Sequence, residues 1–156
     1  MTSKPFAAGV LVWLSAALAF PAATVLGAPA PDLHLQAQLL WAGDGAKPPE
    51  GKNYKPVEPA VNEKLKELPL KWKTYFEVSR TNFSVAPNAI SKVSVSAKCS
   101  VEVKTHGDSS LEVSLIGKGK EVVKAQSLPE GKILVLGGNA PNDTAWLVVL
   151  RRVPRK

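Results

Sequence analysis

Apolar and polar residues alternate along much of this chain, and the pattern predicts β-strands. The most regular case is SKVSVSAKCSVEVK (91–104), where small apolar residues occupy the odd positions from 93 to 103. Successive side chains of a strand point to opposite faces, so one face of this segment is predicted to be buried. The same pattern over 33–41 predicts a half-buried strand with His34, Gln36 and Gln38 on its polar face.

The segment 91–104 is long for a single strand. A two-residue hairpin near Lys98–Cys99 would place Val95 and Val101 on opposite faces, and the segment contains no Gly, Asn or Asp for such a turn. The pattern therefore disfavours that hairpin. It leaves two arrangements open, which are one long strand, straight or bent, and two strands joined so that the odd residues keep one face.

Further strands are predicted over 71–79, 82–87, 110–117, 121–128, 133–138 and 144–153, separated by turns that contain Gly, Pro or Asn/Asp. The runs ILVL (133–136) and AWLVVL (145–150) are apolar on both faces, which is typical of central strands. Even spacing of short strands predicts a mainly β fold. The predicted architecture is an antiparallel β-sandwich, or an open barrel, of about seven to eight strands with one short helix.

The helix is predicted at PAVNEKLKELP (59–69). Pro59 suits the first helical position and Pro69 ends the helix. Val61, Leu65 and Leu68 form one narrow apolar stripe, so a helix this short has to dock on the rest of the domain to be stable. The preceding segment 42–58 is rich in Gly, Pro and Lys and is predicted to be a loop.

The N-terminal segment has the layout of a secretory signal. Lys4 precedes the uncharged, mostly apolar run 6–20, and Pro21 and several small residues follow. We predict a signal peptide over 1–27, cleaved after Gly27, and a single β-rich domain over 28–156. The alternative is an uncleaved membrane anchor, since a span needs about 20 apolar residues. A cleaved signal predicts export to the periplasm or secretion, and an uncleaved anchor predicts an exported domain held at the membrane.

The chain is basic, with a net charge of +7, or about +6 once residues 1–27 are removed. Such a charge favours anionic partners, for example anionic lipid or acidic polysaccharide, whereas nucleic acid fits an exported chain poorly. Cys99 is the only cysteine, so no internal disulfide is possible. Because it shares a face with valines, Cys99 is predicted to be a buried core residue of low reactivity.

Basic side chains suggest one candidate surface for anions or partners. Lys92, Lys98 and Lys104 share the polar face of 91–104, and the C-terminal RRVPRK adds Arg151, Arg152, Arg155 and Lys156. Tyr75 is the best candidate for an exposed aromatic side chain. The alternative is that these residues are a solvated tail and edge-strand lysines that discourage aggregation.

Motifs of catalysis are absent from the sequence, which contains no G-x-S-x-G, no H-E-x-x-H and no paired cysteines. We therefore predict no enzyme activity, no cofactor and no metal. His106, in the predicted turn KTHGDSS, and an unassigned pair of carboxylates keep a hydrolase hypothesis open. That hypothesis requires a cleft in which His106 or a pair of carboxylates converges.

The segments KPVEPAVNEKLK, WKTYFEV and NDTAW together resemble a set of small exported bacterial proteins of unassigned function, over nearly all of 28–156. The resemblance implies a stand-alone exported domain and supplies no catalytic residues to carry over. The function expected is that of a non-catalytic exported domain that binds a protein or a cell-envelope component. The alternatives are a basic-surface binder of anionic lipid or polysaccharide, and a small hydrolase.

Overall fold

The computed structural model describes residue 27 and residues 30–45, 47–106, 110–117, 120–140 and 142–155. Almost all of the predicted signal segment 1–27 lies outside the described residues, as do Lys156 and the turn residues Gly107 and Asp108. In the part of the chain that is described, no helix has the length and hydropathy needed to cross a membrane.

The described residues form nine strands and one helix. Their bounds are β1 Leu33–Gly43, β2 Lys55–Pro56, α1 Pro59–Lys66, β3 Thr74–Val85, β4 Ile90–Ser96, β5 Cys99–Thr105, β6 Ser110–Gly117, β7 Lys120–Ser127, β8 Ile133–Ala140 and β9 Thr144–Arg152. The strands make two antiparallel sheets, a five-stranded sheet in the order β2-β3-β1-β9-β8 and a four-stranded sheet in the order β4-β5-β6-β7. The prediction of a mainly β sandwich with one short helix is confirmed.

The main core lies between the two sheets. Leu35, Ala37 and Leu39 of β1 face Val101 and Val103 of β5, and each is at most 5% exposed. Alternate residues of β6, β8 and β9 complete this layer. The alternation in the sequence is therefore the pattern of a sheet that packs one face on another sheet, with the two inner faces interleaved.

A second core covers the other face of the five-stranded sheet. Val61 and Leu65 of α1 are buried there against Leu40, Tyr75 and Val149. Pro59 starts the helix, and the Glu58 carbonyl accepts the first helical hydrogen bonds. Docking of the apolar stripe is what stabilises a helix of eight residues, as predicted.

Coverage on both faces changes the environment of β1. The strand predicted over 33–41 is present, but the prediction that its polar face is exposed is wrong, because Gln36 and Gln38 are only 5% and 0% exposed. Both glutamines lie on the helix side of the sheet, where their amides find polar partners. The Gln36 amide donates to Asn82 at 2.8 Å and the Gln38 amide donates to Glu77 at 2.7 Å.

The segment 91–104 is a hairpin, so the prediction against a two-residue turn is wrong. Ala97 and Lys98 form the turn, and Ser96 pairs with Cys99. The pairing then shifts, because Ser94 is opposite Ser100 and Val95 is an extra, bulged residue. The bulge lets Val95 and Val101 share the buried face, so the second predicted arrangement, two strands that keep parity, is confirmed.

Cys99 packs against the main core but is only partly buried. Burial raises the pKa of its thiol, so less thiolate is present at neutral pH than on an exposed cysteine. We expect slow labelling of the native protein by a thiol reagent and faster labelling after unfolding. We also expect Cys99→Ser to destabilise the domain more than Cys99→Ala, since serine places a hydroxyl against valines. Equal melting temperatures of the two variants would contradict this expectation.

Candidate functional site

The edges of the two sheets differ in how they are protected. Strand β2 has only two residues, one of them proline, while the edge strands β4 and β7 carry Lys92 and Lys124. Charges, prolines and short length are the usual devices that keep an edge from pairing with another chain. Strand β8, ILVLGGNA, is also an edge, yet its eight residues include no charge and no proline.

The position of β8 corrects the prediction that ILVL is a central strand. Strand β9 is central, between β1 and β8, whereas β8 has one neighbour among the strands that the structure describes. Both faces of β8 are apolar because both faces of its sheet are covered. Leu134 and Leu136 enter the main core, and Ile133 and Val135 pack against the second core under the helix.

A groove of about 570 Å³ runs along the free edge of β8. One wall is the segment after the helix, with Leu68, Leu70 and Trp72, and the other is β7, with Lys124 and Gln126. The Trp72 indole donates to the Asp143 carbonyl at 2.7 Å, which ties the first wall to the turn before β9. The groove therefore has one wall on each face of the five-stranded sheet, and the edge of β8 lies between the two walls.

Strand β7 extends beyond the sheet it faces. Val122 and Lys124 are directly opposite Leu115 and Val113 on β6, so all four side chains point toward the five-stranded sheet. Val113 is fully buried, yet Val122 is 44% exposed. The inner face of β7 is therefore not covered by the five-stranded sheet at Val122, whereas Lys124 and Gln126 of the same face line the groove beside β8.

Two glycines form the far end of this edge. A Cβ atom on Gly138 would meet nothing within 4 Å, whereas one on Gly137 would lie 2.6 Å from Leu147 Cδ2 and closer still to the Trp146 carbonyl oxygen. The missing side chain of Gly137 is what lets β9 lie close, whereas the missing side chain of Gly138 leaves the backbone of β8 accessible to another backbone.

The lysines of the predicted basic surface lie on the four-stranded sheet. Lys92 and Lys104 are on its outer face and Lys98 is in the β4–β5 turn. Lys92 is directly opposite Glu102, and Lys104 is directly opposite Glu112. The outer face therefore alternates in charge sign, which weakens its attraction for an extended anionic surface.

The C-terminal arginines do not join those lysines. Arg151 lies on the helix side of the other sheet, where its guanidinium donates to Gln36 and to Glu58, each at 2.9 Å. Arg152 and Arg155 line a different groove, at one end of the sandwich. The predicted single basic surface is wrong for Arg151, because β9 is in the sheet that is remote from the outer face of β4 and β5.

The prediction that Tyr75 is exposed is also wrong. Tyr75 is 5% exposed, in the core under the helix, and its hydroxyl donates to the Trp72 carbonyl at 2.9 Å. Burial raises the pKa of this hydroxyl. Among the described residues, Trp146 is the exposed aromatic side chain, at 41%, and its ring meets that of Tyr54 in a T-shaped arrangement.

Both histidines line the groove at the end of the sandwich, which has a volume of about 440 Å³. His34 Nδ1 is 2.9 Å from Ser84 Oγ, its cross-strand neighbour, but Ser84 is exposed and does not line the groove. Among the described residues, no three His, Cys, Asp or Glu side chains are grouped to hold a metal ion. The geometry thus offers this groove no serine nucleophile from that pair.

The open edge at β8 is the feature that sequence reasoning missed. A run that is apolar on both faces shows that both faces are covered, but it does not show how many strands lie beside it. The absence of charge and proline from 133–140 is no signal of an edge either, because it fits a central strand equally well. Comparison with protein-family models, with curated proteins and with solved structures finds no match to this chain.

Proposed function

We propose that this chain is an exported, non-catalytic domain that binds a protein partner by accepting an extended segment of it beside β8. The observation that carries the proposal is the edge of β8, which has no charge or proline and is flanked by one wall on each face of the five-stranded sheet. The N-terminal pattern over 1–27 supports the exported part of the proposal.

Strand addition suits this edge for a physical reason. Alternate residues of an edge strand present unpaired N–H and C=O groups, and an extended peptide satisfies them with main-chain hydrogen bonds. The peptide would also cover the apolar side of the groove, which is formed by Leu68, Leu70 and Trp72. Main-chain bonds supply affinity in this mode of binding, and the two walls of the groove supply specificity.

The test begins with linear peptides of about eight residues, the length of β8, selected from a display library against the purified chain. The best binder is then synthesised in two N-methylated forms, one methylated at its odd residues and one at its even residues. Only one set of amides faces β8 in a docked strand. One form should therefore lose binding while the other keeps it, and amide hydrogen exchange of 133–140 should slow on binding.

Equal effects of the two methylation patterns would contradict strand addition, because the side chains of the two forms are the same. Slowed exchange along β4 in place of β8 would contradict the assignment of the edge. Strand β4 is a suitable internal control, since it is an edge strand that carries Lys92 and serines.

A further inference from the structure

We infer that the segment accepted beside β8 alternates apolar and acidic residues, with its acidic side chains toward Lys124 and its apolar side chains toward Trp72. This inference rests on the proposed function. It follows from the difference between the two walls of the groove, because successive side chains of a docked strand point to opposite walls.

The wall that follows the helix is apolar. Leu68, Leu70 and Trp72 are partly buried and continue the core under the helix. The indole N–H of Trp72 is already bonded to the Asp143 carbonyl, so it is not a free donor to the groove. The Lys71 ammonium lies 5.3 Å from the centroid of this ring, but it pairs with Asp143 and does not line the groove. Side chains that point to this wall are stabilised by burial, at about 25 cal/mol per Å² of apolar area.

The opposite wall is polar and positive. Lys124 is the only charged residue among the described residues that line the groove, and Gln126 is beside it on the same face of β7. Within the described chain, Lys124 has no carboxylate within ion-pair distance. A docked strand would remove water from this ammonium group, and an acidic side chain on the strand compensates that loss with a charge-assisted hydrogen bond.

The same argument disfavours a second copy of β8 as the occupant. Its sequence, ILVLGGNA, supplies no acidic residue to face Lys124. Pairing of two copies would also bring two Lys124 side chains toward one seam, and like charges across a seam are unfavourable.

The experiment uses three peptides of about eight residues, which alternate valine with glutamate, with lysine or with serine. Their affinities for the wild-type chain and for Lys124→Glu are measured by calorimetry. We expect the wild type to prefer the glutamate peptide over the lysine peptide by about tenfold or more, the equivalent of one good charge contact. Lys124→Glu should reverse that order.

Lys92→Glu is the matched control, since it changes the net charge by the same amount on the outer face of β4. It should leave the preference for the glutamate peptide unchanged. An equal loss of preference in both variants would overturn the inference, because it would show attraction to the net charge alone. Equal affinity of the serine and glutamate peptides would also overturn the inference. The same holds if the chain sediments as a dimer and the glutamate peptide dissociates that dimer no better than the serine peptide does.

The two proposals fail in different ways. Library peptides that show the methylation asymmetry but carry no acidic alternation would overturn the inference about the partner and leave strand addition standing. The absence of any asymmetry would overturn strand addition itself.

Discussion

Gly137→Ala lowers the free energy of unfolding by about 1–3 kcal/mol, the usual cost of overpacking. The added Cβ would lie 2.6 Å from Leu147 Cδ2 and nearer still to the carbonyl oxygen of Trp146. Both obstacles belong to β9, the strand that pairs with β8. A backbone oxygen in a sheet cannot rotate away as a side chain does, so the ladder between the two strands must shift.

Gly138→Ala is the matched control, one residue away on the same strand. Its Cβ would meet nothing within 4 Å, and its φ lies outside the left-handed region. Alanine there restricts the unfolded chain without strain in the native state, which stabilises a protein by about 0.4–1 kcal/mol. The same chemical change at neighbouring positions is therefore expected to have opposite signs in urea or thermal unfolding.

Two variants destabilised to the same extent would contradict the close approach of β8 and β9 at Gly137. They would indicate a general penalty on this edge. Gly138→Ala also suits studies of the proposed binding site, because it leaves the N–H and C=O groups of β8 in place and adds only a methyl group to the edge.

The layered fold was predictable because its cause is local. Each inner position of 93–103 is small and apolar and each outer one is polar, which is what a strand with one buried face requires. The bulge at Val95 was not predictable from the same pattern, since it arises from the pairing of β4 with β5. The apolar residues of β4 and β5 share one face only because Val95 is left unpaired.

The buried polar residues on the helix side depended on tertiary contacts. Gln36 and Gln38 looked like the exposed face of a strand, and their burial becomes clear only once α1 and Glu58 are placed over β1. The candidate site depended on topology in the same way. Nothing in 133–140 distinguishes a strand with one neighbour from a strand with two, since the helix and the opposite sheet bury both of its faces.

Arg80 is the centre of a charge network on the helix side of the five-stranded sheet. Its guanidinium donates to Glu77 at 2.6 and 3.0 Å and also to Glu58, which accepts from Arg151 at 2.9 Å. The Glu77 side chain is 14% exposed and also accepts from the buried Gln38. Loss of Arg80 would leave the Glu77 carboxylate largely desolvated and without a cation to pair with.

Arg80→Met keeps an unbranched apolar stem and removes the charge. We expect it to lower the free energy of unfolding by about 2 kcal/mol, less than the 3–5 kcal/mol of a fully buried pair because Arg80 is partly exposed. Lys66→Met is the control. It breaks an i,i+3 pair with Glu63 whose side chains are 58% and 69% exposed, and such pairs contribute about 0–1 kcal/mol.

Acid should reduce the difference between wild type and Arg80→Met. The hydrogen bond from Arg80, with further help from Arg151, holds the pKa of Glu58 below its ordinary value. A carboxylate with a lowered folded pKa stabilises the fold above its unfolded pKa, near 4, and that stability is lost as the pH falls through the folded value. Chemical unfolding from about pH 7 to pH 3 should therefore show the largest effect of the substitution at neutral pH, where the Glu58 carboxylate is charged. A difference that stays constant down to pH 3 would mean that Arg80 stabilises the sheet through packing of its stem and not through its charge.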